Sequence, residues 1–399
     1  MFTRRFGRTE LPMPVFSCGG MRYQQSWGDL APDAVERANQ ENLEATIHRA
    51  LELGINHIET ARGYGSSEMQ LGWVLPKIPR EKLIVQTKVS PRDTGKEFLE
   101  VFEQSLKYLG LDYVDLLSFH GINTPHNLDQ TLRRGGCLEV ARQLQREGRV
   151  RFVGYSTHAA TDVMLRANQT GEFDYFNVHF YFVNPLNWPA IEEAKRQDMG
   201  VFIISPTDKG GQLQSPTETI QALCEPMSPM AFNDLWCLGH PEVHTLSIGA
   251  ARPSDFDEHV NALRSYDDIP ATIAPIEERL RAAMREGFGR EWSEGEWWHG
   301  LPEFHELPDG VNVRDALRLL VYGRSLGLDE WAKGRYNLMT GSDDWIPGAK
   351  VGVLDSPEKW AQVERSIQSH PLAAQIPAML RQADELFAGE QRQRLSKGG

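Results

Sequence analysis

Eight short apolar runs, each followed by a segment with helical periodicity, fill the chain from about residue 14 to residue 265. Repeated β–α alternation builds a parallel sheet, because parallel neighbours are joined only by long crossovers. Eight units of roughly thirty residues favour closure into a (β/α)8 barrel over an open doubly wound sheet. The first run is Val15-Phe16-Ser17-Cys18-Gly19. The others cover residues 56–59, 83–88, 114–120, 150–155, 175–179, 200–205 and 244–248. After the first, Leu43, Ile47, Ala50 and Leu51 share one helical face, and Gly54 is placed to stop that helix. Phe98, Val101, Phe102, Leu106 and Leu109 mark another such face, and a single helix is predicted over 128–146.

Beyond about residue 270 the alternation stops. Helices are predicted over 273–286, 313–326 and 357–387, with Trp292, Trp297 and Trp298 clustered between them. Such indoles are expected to cap or pack the barrel. The chain thus divides into a barrel over residues 1–268 and a mostly helical C-terminal extension over 269–399.

Chemistry concentrates where strands end, which is where barrel enzymes place it. Asn56-His57-Ile58-Glu59 ends in an acid, with Tyr64 five residues on. Leu83-Ile84-Val85-Gln86-Thr87-Lys88 ends in an amine, and Val114-Asp115-Leu116-Leu117-Ser118-Phe119-His120 in an imidazole. Each alone has an ordinary structural reading: a rim ion pair, a packing tyrosine, a satisfied histidine. Together on adjacent strand ends they suit carbonyl reduction. Hydride addition to C=O builds negative charge on oxygen, which a donor must neutralise. Tyrosine, with a pKa near about 10, needs help at neutral pH. A Lys88 cation lowers it, Glu59 keeps Lys88 charged, and neutral His120 orients the carbonyl. No side chain supplies a hydride, so a nicotinamide cofactor is implied.

Composition narrows the partners. Net charge is −13, from 42 basic and 55 acidic residues, which argues against nonspecific nucleic-acid binding. No run approaches the roughly 20 apolar residues of a membrane helix. Met1 to Gly7 is charged and no apolar signal region follows, so a cytoplasmic protein is expected. Cys18, Cys137, Cys224 and Cys237 are far apart and read as reduced structural thiols, with no metal site. Oligomeric state is not readable from the sequence.

The residues also carry a resemblance. Gly54-Ile55-Asn56-His57-Ile58-Glu59-Thr60-Ala61-Arg62-Gly63-Tyr64-Gly65 resembles the aldo-keto reductase signature GINxxDTAxxYG. Gln86-Thr87-Lys88, Leu116-Leu117-Ser118-Phe119-His120 and the segment from Gly148 to Ser156 resemble later motifs of that family, in the family's order. Glu59 departs from its usual aspartate. The resemblance implies that Ser156, Thr157 and Asn177 lie near the nicotinamide amide, and Ser205, Lys209 and Gly210 near the pyrophosphate. Gly249 belongs to a segment implied to meet the adenosine end, where Arg252 and Ser254 hold a 2′-phosphate and Glu258 reaches adenine. NADPH is therefore favoured over NADH. Residues 301–337 resemble a ferredoxin-like extension stripped of its cysteines, so no iron–sulfur cluster is expected.

The leading expectation is NADPH-dependent reduction of an aldehyde or ketone with Tyr64 as proton donor. A Schiff-base lyase using Lys88 and a slow-turnover redox-sensing partner subunit stand as alternatives. Tyr23, Trp27 and Tyr181 are expected to line an aromatic pocket. Glu59→Asp is expected to keep or raise turnover, and complete loss in a folded variant contradicts the four-residue site.

Overall fold

The computed structural model describes residues 1–394. Ten strands form, β1 Thr3–Arg5, β2 Pro12–Pro14, β3 Phe16–Gly19, β4 His57–Glu59, β5 Ile84–Val89, β6 Val114–His120, β7 Val150–Ser156, β8 Tyr175–Val178, β9 Gly200–Ile203 and β10 Thr245–Ile248. Strands β3 to β10 close into one barrel in sequence order, with β10 returning to β3. Every neighbouring pair in the barrel is parallel. The eight predicted runs are these eight strands.

The short pair β1–β2 is antiparallel and lies outside the predicted pattern. Phe6, Leu11 and Met13 from this hairpin join Ile84, Leu116, Tyr175 and Phe202 in one buried cluster. The hairpin therefore plugs the end where the strands begin, which leaves the opposite end for the site. Gly7 makes the plug possible: its φ is +50°, and a Cβ there would lie 2.5 Å from the backbone nitrogen of Gly200.

Helices follow the predicted periodicity with two corrections. The segment 128–146 is two helices, Pro125–Leu132 and Cys137–Arg146. Gly135, at φ +71°, turns the chain between them, so apolar periodicity alone overran a glycine pair. The segment 357–387 likewise breaks into Pro357–Ile367 and Ile376–Phe387. No described helix is long and apolar enough to cross a membrane.

The C-terminal extension packs on the barrel through the helix Val313–Ser325, which is buried along most of its length. Its Arg318 reaches back to donate to the carbonyl of Val183 at 3.1 Å. Trp292, Trp297 and Trp298 are buried against one another within the extension, and Trp292 donates to Gln375 at 2.8 Å. Phe6→Ala is expected to cost about 3–5 kcal/mol of folding free energy, because it empties the plug. Urea denaturation measures this, and a loss below about 1 kcal/mol, the size of an ordinary surface change, contradicts the plug's role.

Candidate active site

Strand register gathers the predicted residues at one rim. Gly19 pairs with Glu59, Glu59 with Gln86, Lys88 with Ser118, His120 with Ser156, and Ser156 with Asn177. Tyr64 lies in the loop after β4. Its entry is set by short turns, in which Tyr64 donates its amide to Ala61 and Ser67 donates to Tyr64.

Lys88 and Glu59 are 1% and 4% exposed at their side chains, and they form a direct ion pair. Removing two charges from water is costly, so each needs the other there. Lys88 also donates to the carbonyl of Thr60 at 2.9 Å and to the Tyr64 hydroxyl at 3.0 Å. The Tyr64 hydroxyl donates to Glu59 Oε1 at 3.4 Å, a long contact that a substrate oxygen could replace. Gly19 pairs with Glu59 across the strands and is kept small by Ser247 rather than by the acid. A Cβ at that position would strike Ser247 Oγ and lie 3.4 Å from Glu59 Oε2.

Electrostatics departs from the sequence expectation at one point. Lys88 was expected to lower the phenol of Tyr64, yet burial pushes that phenol above its ordinary value. Burial also works against the charge on Lys88, and the contact with Glu59 works for it. A neutral ion pair beside Tyr64 offers a phenolate less than a lone cation would. Tyr64 is therefore held protonated at neutral pH.

His120 is kept neutral by burial, then by the Lys88 and Arg394 charges. Its ring lies edge-on to Tyr64 at 5.6 Å and edge-on to Trp345 at 4.9 Å. Trp345, from the extension, thus roofs the histidine, and the Arg394 guanidinium stands 5.3 Å from the indole centre. A Cβ on Gly121 would lie 2.6 Å from this indole, so the glycine admits it. Sequence reasoning missed Trp345. It sits more than two hundred residues from His120, and no local pattern distinguishes it from the other indoles. Among the expected pocket aromatics, Trp27 lies edge-on to Tyr64 at 6.3 Å. Tyr23 and Tyr181 are instead buried; Tyr181 is spent on the carbonyl of Ile204 and on His179.

The predicted cofactor residues separate into two groups. Ser156 and Asn177 adjoin His120 through the register above. Asn177 Nδ2 is buried without a hydrogen-bond partner, and Gln86 Oε1 beside it is also unpartnered. Such orphaned groups fit a polar amide arriving from outside. Ser205 takes a left-handed φ of +54° at the start of the turn through Gly210. Gly249 lies under the Arg22 side chain, and Arg252 with Ser254 stands at the exit of β10. Asp255 accepts from the amide of Ala251 at 2.9 Å and from Arg252 Nε at 3.0 Å. Its charge is thereby satisfied, and the outer nitrogens of Arg252 face solvent.

The second group is spent within the protein. Thr157 donates to the carbonyl of Ile122 at 2.8 Å and accepts from Ala159 at 3.0 Å. Glu258 accepts from Ser228. Lys209 turns its amine to His179 Nε2 at 3.0 Å and His158 Nδ1 at 3.4 Å. Loop-bracing hydroxyls and an inward lysine of this kind are invisible in the sequence.

A barrel of this topology, with a lysine–glutamate pair, a tyrosine and a neutral histidine at its rim, defines an NAD(P)H-dependent oxidoreductase of carbonyl groups. The model of the aldo/keto reductase family matches residues 16–234, and the chain belongs to that family. It is 26% identical to L-galactose dehydrogenase of Arabidopsis thaliana over 298 residues, covering 67% of this chain and 89% of that protein. Its fold is similar to an aldo-keto reductase from Bacillus halodurans in its holo form, with a TM-score of 0.58 and 19% identity. That match covers 70% of this chain and 96% of the other. An aldo-keto reductase from Klebsiella pneumoniae in complex with NADPH matches with a TM-score of 0.53 at 18% identity. It spans 68% of this chain and 95% of its own.

Lys88→Met is expected to cost about 3–5 kcal/mol of stability, because it strands a buried carboxylate. Adding Glu59→Gln should recover part of the loss. Chemical denaturation of the two variants checks this, and a double variant less stable than Lys88→Met contradicts the pairing.

Proposed function

We propose that the protein reduces an aldehyde or ketone to its alcohol, with Tyr64 giving the proton. The observation that carries this reading is the Tyr64 hydroxyl, held 3.0 Å from Lys88 Nζ beside a neutral His120. NADPH, when bound, supplies the hydride to the carbonyl carbon and leaves as NADP+. The His120 side chain forms no hydrogen bond among the described residues, so a ring nitrogen is free to orient the carbonyl oxygen. As charge builds on that oxygen, the Tyr64 proton moves to it, in place of the long contact with Glu59. Lys88 then donates to the phenolate oxygen and steadies it until solvent returns the proton. Ser156 and Asn177 would hold the nicotinamide amide, and Ser205, Gly210 and Gly249 the middle of the dinucleotide.

NADPH is favoured over NADH because the exposed Arg252 bonds Asp255 through Nε only, which leaves its outer nitrogens without a partner among the described residues, close in sequence to Ser254. The same reading has the protein act in the cytoplasm on a small-molecule carbonyl, with no nucleic-acid partner. It takes residues 269–399 as an extension without an iron–sulfur cluster.

Lyase chemistry through Lys88 finds less support. Its amine already donates to Thr60 and Tyr64 and pairs with Glu59, whereas a Schiff base needs a free lone pair. A slow redox-sensing subunit draws on Trp345, which covers His120.

Two measurements test the proposal. With 4-nitrobenzaldehyde and NADPH, Tyr64→Phe should lose on the order of 10²–10⁴ in kcat while still quenching on NADPH binding. Cofactor binding without turnover by the wild type, across a panel of carbonyls, favours the sensor instead. Arg252→Ala should weaken NADPH roughly tenfold, the worth of one charge-assisted contact, and leave NADH unchanged. Equal weakening of both contradicts the 2′-phosphate assignment.

A further inference from the structure

The loops after β7, β8 and β9 do not close directly on the extension. A cavity of about 70 Å³ remains between them. His158, His179 and Lys209 line it from the barrel, and Arg335 and Trp345 from the extension. The two imidazoles meet edge-on at 4.5 Å, with the Lys209 amine against both.

The charges around this space do not balance. Each carboxylate nearby already holds its own cation. Glu303 pairs with Arg314, Asp315 with Arg318 at 2.7 Å, and Asp208 with Arg22 at 3.6 Å. Lys209 and Arg335 form no ion pair with a carboxylate among the described residues. Arg335 also makes no side-chain hydrogen bond there. Asp208 favours both charges and Asp315 that of Arg335 from a distance, yet two cations in a partly desolvated space without a contacting counter-charge are costly. Burial pushes the Lys209 amine down, and the Arg335 charge pushes it further. An anion seated between them relieves both effects, and a guanidinium fork suits an oxyanion in particular.

Position ties the cavity to catalysis. Trp345 lines it and also lies 4.9 Å from the His120 ring. Apart from Lys209, none of the proposed cofactor residues lines it, and β10 with its exit is absent. A water needs roughly 10–15 Å³ on this measure, so there is room for a carboxylate or phosphoryl group and not for a dinucleotide.

We propose that this cavity is a substrate subsite for a compact oxyanion, so that the preferred carbonyl compound carries a carboxylate or phosphoryl group. The proposal rests on carbonyl reduction as the reaction. Arg335 supplies the fork, Lys209 the second cation, and the two imidazoles complete the polar wall.

The test compares wild type with Arg335→Met on matched substrates. One pair is 4-carboxybenzaldehyde and 4-nitrobenzaldehyde; the other is glyceraldehyde 3-phosphate and glyceraldehyde. The KM of a charged member should rise roughly 10- to 100-fold, with the neutral members and NADPH binding unchanged. Which pair responds tells carboxylate from phosphoryl. Arg335→Lys, which keeps charge without the fork, should fall between, and it serves if the methionine variant does not fold. Equal changes on charged and neutral members, or loss of NADPH binding, overturns the subsite. If wild type turns over none of the four, the reaction itself fails. Calorimetric titration of both charged compounds then still decides the subsite. Binding that weakens in the variant supports it, and no binding overturns it.

Discussion

The buried contact between Lys88 and Glu59 is what the rest of the rim depends on. Neither charge could stay at such low exposure alone. The closed barrel brings them together by placing β4 beside β5 in fixed register, with Glu59 against Gln86. Lys88 then has its remaining donors committed to Thr60 and to the Tyr64 hydroxyl. Tyrosine position is thus set by a lysine whose own position is set by the barrel. The longer acid at position 59 leaves the charge balance of this pair intact.

Both ends of the barrel are closed by chain that lies outside the eight repeats. The β1–β2 hairpin fills the end where strands start, and the extension lowers Trp345 over the end where they finish. A plugged lower end means that the chemistry can occupy only the upper rim. A roofed upper end means that the extension helps to shape what reaches His120. Lys209 and Arg335, which form no ion pair with a carboxylate among the described residues, belong to this second closure.

Legibility in the sequence follows the range of the interaction. Each strand and most helices carry their period within a dozen residues, so the barrel could be read directly. Glu59, Tyr64, Lys88 and His120 were legible because strand ends fall at fixed places in that period. The row from His120 to Ser156 to Asn177 follows from the same register. Three features were not legible. Gly135-Gly136 ended a helix whose apolar face continued on both sides. Lys209 turned inward because two histidines from other loops met it. Trp345 reached His120 across more than two hundred residues, a contact that only the packing of the extension decides.

The most direct test of the account follows the hydrogen that reaches the carbonyl carbon. Reduction of an aldehyde with NADPH deuterated at both C4 positions, with the product analysed by mass spectrometry, reads it without relying on any variant. The account predicts one deuterium at the carbinol carbon and no mass added to the protein. A product without deuterium, or a borohydride-trapped adduct on Lys88, contradicts it.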